Sequence, residues 1–132
     1  MSSLDRQAAA ARAGQAKLNE AEKRFRENLA VRRELQAIED LHATVPGLLE
    51  LLTKVGMPDA EKLSVKGRFG IPRRQPGWKL YGNLGKHTYL LHNGMICQIT
   101  WVSIVTYPIG HEAISHVHAL DGVHKLLVKY SQ

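Results

Sequence analysis

Thr88-Tyr89-Leu90-Leu91-His92-Asn93-Gly94-Met95-Ile96-Cys97-Gln98-Ile99 is the stretch that decides the fold. Asn-Gly between two apolar runs is the preferred chemistry of a type I′ hairpin turn, because both turn residues need positive φ. A two-residue loop sets His92 opposite Met95, Leu90 opposite Cys97 and Thr88 opposite Ile99. One face then carries Leu90, Met95, Cys97, Ile99 and Trp101, a core face. Beyond Trp101 the apolar positions move to Val102 and Ile104, so a bulge or bend is expected at residues 101–103.

Working outward, Trp78 to Tyr81 and His87 to His92 read as strands around an Asn83-Leu84-Gly85 turn. Pro108-Ile109-Gly110 ends the sheet run. Residues 111–119 fit strand or helix equally. Asp121 reads as the N-cap of a final helix whose Val123, Leu126, Leu127 and Tyr130 pack on the sheet.

Toward the N-terminus, residues 4–43 read as one long helix, since Ala, Leu, Glu, Lys, Arg and Gln dominate and no proline interrupts. Leu4, Ala8, Ala11, Leu18, Ala21, Phe25 and Leu29 form a stripe that Val31, Leu35, Ile38 and Leu41 continue at a shifted angle. At ~1.5 Å per residue such a helix reaches roughly 60 Å. That exceeds what a domain this small can cover, so part of it is expected to project, fray or pair with a second copy. A strict coiled coil is weakly patterned, because the heptad partners of the stripe include Gln7, Gly14, Asn28 and Arg32.

Pro46 cannot continue that helix but suits the first turn of another, with Thr44 as its cap. A second short helix ending near Gly56 is therefore expected, with Leu48, Leu51, Leu52 and Val55 as its apolar face. Lys54 is its one basic residue, too little for reading a DNA groove. The fold class is α+β: a long N-terminal helix, a short second helix, a small antiparallel meander and a C-terminal helix. Residues 1–43 form the charged helical part, and 44–132 the α+β domain with a basic loop at 62–86.

Charge is the other sharp signal. Residues 62–86 hold Lys62, Lys66, Arg68, Arg73, Arg74, Lys79 and Lys86 and no acidic residue, while the whole chain of 132 residues carries a net charge of +6. Charge of one sign gathered on a short segment repels itself, so it is either spread into solvent or offered to an anion. The glycines and prolines of 67–77 indicate an extended, solvated loop. Arginine forks grip phosphate, lysines add point charge and exposed rings stack on unpaired bases. Lys66, Arg68, Arg73, Arg74, Lys79 and Lys86 are the candidate polyanion contacts, with Phe69 and Tyr81 as candidate stacking residues. On the contrasting reading, Trp78 and Phe69 anchor the core while the cations solubilise a loop or bridge to acidic residues of the first helix.

Six of the seven histidines follow residue 86. On a strand His116 and His118 share a face, and His111 or His124 could add a third imidazole. No zinc signature is completed, because the position a helical zincin needs, 115, is a serine. Cys97 falls on the core face, where cysteine behaves as a small hydrophobe. The glycines match neither a P-loop nor a dinucleotide fingerprint, and only Glu112 and Asp121 are acidic beyond Glu61, which leaves no paired-carboxylate site in the sheet.

These features point away from an enzyme and imply no cofactor or metal. The expected function is a binding module that offers its cations to a polyanion, nucleic acid before acidic protein, with the long helix serving self-association. The alternative is a structural or adaptor protein that uses that helix as its interaction surface, and a third reading is a small metal-dependent enzyme built on the C-terminal histidines. A single cysteine excludes an intrachain disulfide and suggests a reducing compartment. The opening Met1-Ser2-Ser3-Leu4-Asp5-Arg6 lacks an apolar signal core, and Gln98, Thr100, Ser103 and Thr106 break the longest apolar stretch. A cytoplasmic protein with no membrane partner is expected.

Overall fold

Alanine, leucine and long charged side chains sustain one helix, α1, over Ser3–Lys54 in the structure, a computed structural model that describes residues 3–66 and 70–132. The chain divides into two compact units, Met1–Arg33 and Glu34–Gln132. In the first, every residue from 3 to 33 is exposed, and pairs four apart such as Arg24 with Glu20 (3.0 Å) decorate the helix. In the second, Ala37, Leu41, Val45, Leu48 and Leu52 form the buried stripe of α1.

Pro46 lies within α1 and starts no second helix, which corrects the expected break. Its ring is exposed while Val45 and Leu48 are buried. A mid-helix proline costs about 3 kcal/mol relative to alanine. Burying Leu41, Val45, Leu48 and Leu52 returns ~1.5–3 kcal/mol each and outweighs that cost. Thr44, expected as a cap, instead donates its hydroxyl to the Asp40 carbonyl at 2.7 Å. The continuous helix stops where the second one was expected to end: Gly56 takes φ +91°, Met57 N–H donates to the Leu52 carbonyl and Gly56 N–H to the Thr53 carbonyl. That pair of bonds is a Schellman stop.

Five antiparallel strands follow in chain order: β1 (Glu61–Lys66), β2 (Pro72–Asn83), β3 (Lys86–Leu91), β4 (Ile96–Ile99) and β5 (Ile104–Tyr107). The expected meander is present. Its two edge strands, β1 and β5, come close without pairing, so the sheet is curled. One side packs Trp78, Leu80, Leu90 and Ile96 against α1 and the C-terminal helix. Trp78 is 2% exposed and donates its indole N–H to the Pro58 carbonyl at 2.8 Å. The other side holds a smaller core of Leu63, Val65, Leu91 and Cys97.

The Asn93-Gly94 turn is real but one residue longer than expected. Leu90 faces Ile96, Tyr89 faces Cys97 and Thr88 faces Gln98. Leu91 accepts from Gly94 N–H and donates to the Met95 carbonyl, both at 2.9 Å, and Gly94 takes φ +89°. This is a three-residue loop that ends in a left-handed glycine, and the Asn93 side chain fixes it by accepting from Met95 N–H at 2.9 Å. A slip of one residue turns alternate side chains over. Leu90 therefore lies on the helix-facing core, while Met95, Cys97 and Ile99 belong to the opposite one.

The bend expected at residues 101–103 is the hairpin turn between β4 and β5. Thr100 N–H donates to the Ser103 carbonyl at 2.9 Å, leaving Trp101 and Val102 as the tip between β4 and β5. Trp101 is 93% exposed, so its placement in the core is corrected.

The last helix, α2, runs over His116–Tyr130 with Ser115 at its N-cap. Asp121, expected as that cap, lies inside it and pairs with Lys125 at 3.0 Å. Residues 116 and 118 are consequently helical, and their side chains diverge. A Cβ at Gly122 would lie 2.7 Å from Leu80 Cα, so glycine lets α2 sit directly on the β2 backbone. Leu80 marks an irregularity in the β2–β3 register between Lys79 and Tyr81. Among the described residues no helix is long and apolar enough to cross a membrane.

Candidate nucleic-acid interface

The basic segment is largely a hairpin. β1 alternates exposed Lys62, Ser64 and Lys66 with buried Leu63 and Val65. β2 returns beside it, with Arg74 opposite Ser64 and Arg73 opposite Val65. Residues expected in an irregular loop thus sit on a strand, a correction with a plain cause. In the ladder, residues 72–76 pair with β1 and with no other strand, so a proline at 72 costs no bond on the free side, while Pro76, which lacks a donor, still accepts from His92 N–H at 2.9 Å through its carbonyl.

Residues directly opposite on paired strands share a face. Lys62, Lys66 and Arg74 accordingly stand on one side of the ribbon and Arg73 on the other. Lys79 lies further along β2, where its ammonium runs beside Gly82 and the His87 ring. Lys86 begins β3 and lines a cavity of about 380 Å³ together with Tyr81 and His118. Lys62, Lys66, Arg73, Arg74, Lys79 and Lys86 are all exposed. Among the described residues none of these six reaches a carboxylate; the ion pairs present join Arg24, Arg26, His116, Lys125 and Lys129 to acidic partners. Arg68 and Phe69 lie outside the described residues.

Of the aromatic residues, Tyr81 is half-buried with its ring 5.7 Å from His118. The sequence reading missed Trp101. It stands over a groove of about 640 Å³ between the edges of β1 and β5, with Val65, Lys66, Ile99, Val102 and Ile104 among its walls. The signal was present in the parity shift beyond residue 101: two large apolar residues bracketed by Thr100 and Ser103, whose hydroxyls bond each other at 3.0 Å, make a hairpin tip.

The histidines do not converge. His116 is buried, its Nδ1 3.0 Å from Glu34 Oε2 and its Nε2 accepting from Gly110 N–H at 2.9 Å. His111 Nδ1 accepts from Ala113 N–H, His118 Nδ1 lies 2.6 Å from Ser115 Oγ, and His124 is exposed. Among the described residues no group of three or more His, Cys, Asp or Glu side chains is placed to hold a metal ion. Burial pushes the Cys97 thiol above its ordinary value, and burial first, then Glu61, does the same to the Tyr89 phenol. Neither group is poised as a nucleophile.

No family model matches the chain, and no curated protein or solved structure is significantly similar to it.

Proposed function

We propose that this protein is a non-enzymatic binding module that contacts nucleic acid through the cations of β1, β2 and the start of β3. The observation that carries this reading is the exposure of Lys62, Lys66, Arg73, Arg74, Lys79 and Lys86 with no carboxylate in ion-pair reach among the described residues. Lysine and arginine left unneutralised on a paired ribbon are held at fixed spacing, which suits phosphates along a backbone more than a single small anion. A cytoplasmic site of action, consistent with one free cysteine, belongs to the same proposal.

Fluorescence anisotropy with random single- and double-stranded oligonucleotides, repeated over a salt series, tests it. Binding should weaken linearly on a log-log plot, by ~0.7–0.9 in slope for each phosphate engaged. Absence of binding at low salt would remove the reading.

A second reading rests on a different observation. Leu4, Leu18 and Phe25 recur at sevenfold spacing on the Met1–Arg33 unit, and all three are more than half exposed. Apolar side chains of that size in register suit a partner helix, so the helix serves as an adaptor or self-association surface. Light scattering before and after deletion of residues 1–30 tests this, and an unchanged monomer mass would count against self-association.

A further inference from the structure

The groove between β1 and β5 combines features that neither the core nor solubility requires. Trp101 is 93% and Val102 72% exposed at a tight turn, where small polar residues would cost nothing. A large exposed apolar surface is unfavourable unless something covers it. The walls supply an apolar floor in Val65 and Ile99, hydroxyls in Ser64, Thr100 and Ser103, and one charged side chain, Lys66. No carboxylate lines the groove among the described residues. From Lys66 the positive charge continues along the ribbon to Arg74 and Lys62, on the face of β1 opposite Val65.

We infer that this groove binds single-stranded nucleic acid, with an unpaired base stacked on Trp101 and the adjoining phosphates on Lys66, Arg74 and Lys62. The inference rests on the nucleic-acid reading above and narrows it to one strand state and one contact. A duplex offers its phosphates but keeps its bases stacked on one another, so a duplex engages the cations without Trp101. A single strand engages both. Stacking on an aromatic platform accepts any base, which makes binding tolerant of sequence and dependent on salt. Charge complementarity selects this occupant: a groove with a cation, a ring and no acid suits a polyanion with flat apolar faces.

The experiment uses the full chain and two probes, a short oligo(dT) and a duplex of matched length. The two tryptophans report separately, because Trp78 is buried and Trp101 is not. Oligo(dT) should quench emission, and Trp101→Phe should abolish the change in the tryptophan signal while keeping most of the affinity by anisotropy. Trp101→Ala should weaken oligo(dT) binding roughly five- to a hundredfold and duplex binding little. Lys66→Ala should lower the salt slope by about 0.7. Because the ring is exposed, an unchanged melting temperature verifies that both tryptophan variants fold. Oligonucleotide binding that Trp101→Ala leaves intact, or equal affinity for duplex and single strand, would overturn this inference and spare the nucleic-acid function. No oligonucleotide binding at low salt would overturn both. A blue shift of Trp101 emission on anionic vesicles, with no response to oligo(dT), would assign the tip to a lipid surface and also end the inference.

Discussion

Glu34 caps a helix 82 residues away through His116. Its Oε2 accepts from the His116 backbone N–H at 2.9 Å and lies 3.0 Å from the ring Nδ1, while Oε1 accepts from Val117 N–H at 3.2 Å. Ser115, in the N-cap position, makes no side-chain cap bond to α2. A carboxylate at a helix N-terminus also meets the positive end of the helix dipole. The His116 ring is fixed in orientation because Nε2 accepts from Gly110 N–H, which leaves the proton on Nδ1, facing Glu34.

Glu34→Gln should destabilise the folded unit by about 0.5–2 kcal/mol, the range for losing a helix cap. Denaturant unfolding at neutral pH measures it. Acid dependence should change too. Burial raises the Glu34 carboxyl, but the backbone N–H groups of His116 and Val117 and the His116 ring together hold it below its ordinary value of 4.5. A depressed folded value gives stability that is complete above the ordinary value and lost as pH falls through the lower one. Wild type should therefore lose stability below about pH 4.5 more steeply than Glu34→Gln, and parallel curves would contradict the importance of this cap.

Gly122→Ala should destabilise by roughly 1–3 kcal/mol, the usual cost of overpacking. The added methyl would meet the backbone of Leu80, which cannot swing aside as a side chain would. A neutral result in thermal melts would mean that α2 can lift off β2 cheaply.

Pro46→Ala should stabilise, by up to about 3 kcal/mol, because alanine restores an N–H donor four residues beyond His42 in the middle of α1. Pro46 also lines an apolar cavity of about 450 Å³ with Val45, Leu49, Met95 and Ile109, so truncation there offsets part of the gain. Loss of stability in chemical unfolding would show that the ring's packing outweighs the missing bond.

Arg73→Ala combined with Arg74→Ala should change stability by no more than roughly 0.5 kcal/mol, since both side chains are exposed. Oligonucleotide affinity should fall, and the salt slope should shrink by ~0.7–0.9 for each phosphate that is no longer neutralised. Unchanged affinity would remove these two arginines from the interface.

Cys97 should resist thiol reagents in the native protein. It is fully buried and its thiol is raised by burial, which depletes the reactive thiolate. Labelling should appear with denaturant, in step with unfolding; rapid native labelling would mean that the sheet opens locally around Leu63 and Leu91.

The strong local patterns of this chain were readable and the long-range ones were not. Helical composition identified the helix up to residue 43, Gly56 the stop expected for a second helix, and Asn93-Gly94 a turn, because each depends on neighbours in sequence. Loop length at Asn93-Gly94 depended on whether Gly94 alone, or both residues, would turn left-handed, and sequence does not separate those cases. That one residue misassigned the face shared by Leu90 and Cys97, whereas Trp101 falls outside the core because the alternation of β4 stops at Ile99, where the Thr100–Ser103 turn begins. The Pro46 break failed because tertiary burial of Leu41 to Leu52 overrode a local penalty. The start of α2 at Ser115 rather than Asp121 was not legible because the group that satisfies the helix is Glu34, which no local pattern could reveal. In the candidate interface, charge and exposure of the cations were legible, while the pairing that aligns Lys62, Lys66 and Arg74 was hidden by the prolines of β2.

The two margins of the curled sheet differ in how they discourage unwanted neighbours. β1 places lysines at 62 and 66, residues that repel an incoming chain, whereas β5 reads Ile104-Val105-Thr106-Tyr107 with no ionic side chain before Pro108. Concentrated stocks should therefore stick together along β5, and a lysine introduced at Val105, which is exposed, is the natural gatekeeper for anyone who needs the protein at millimolar strength.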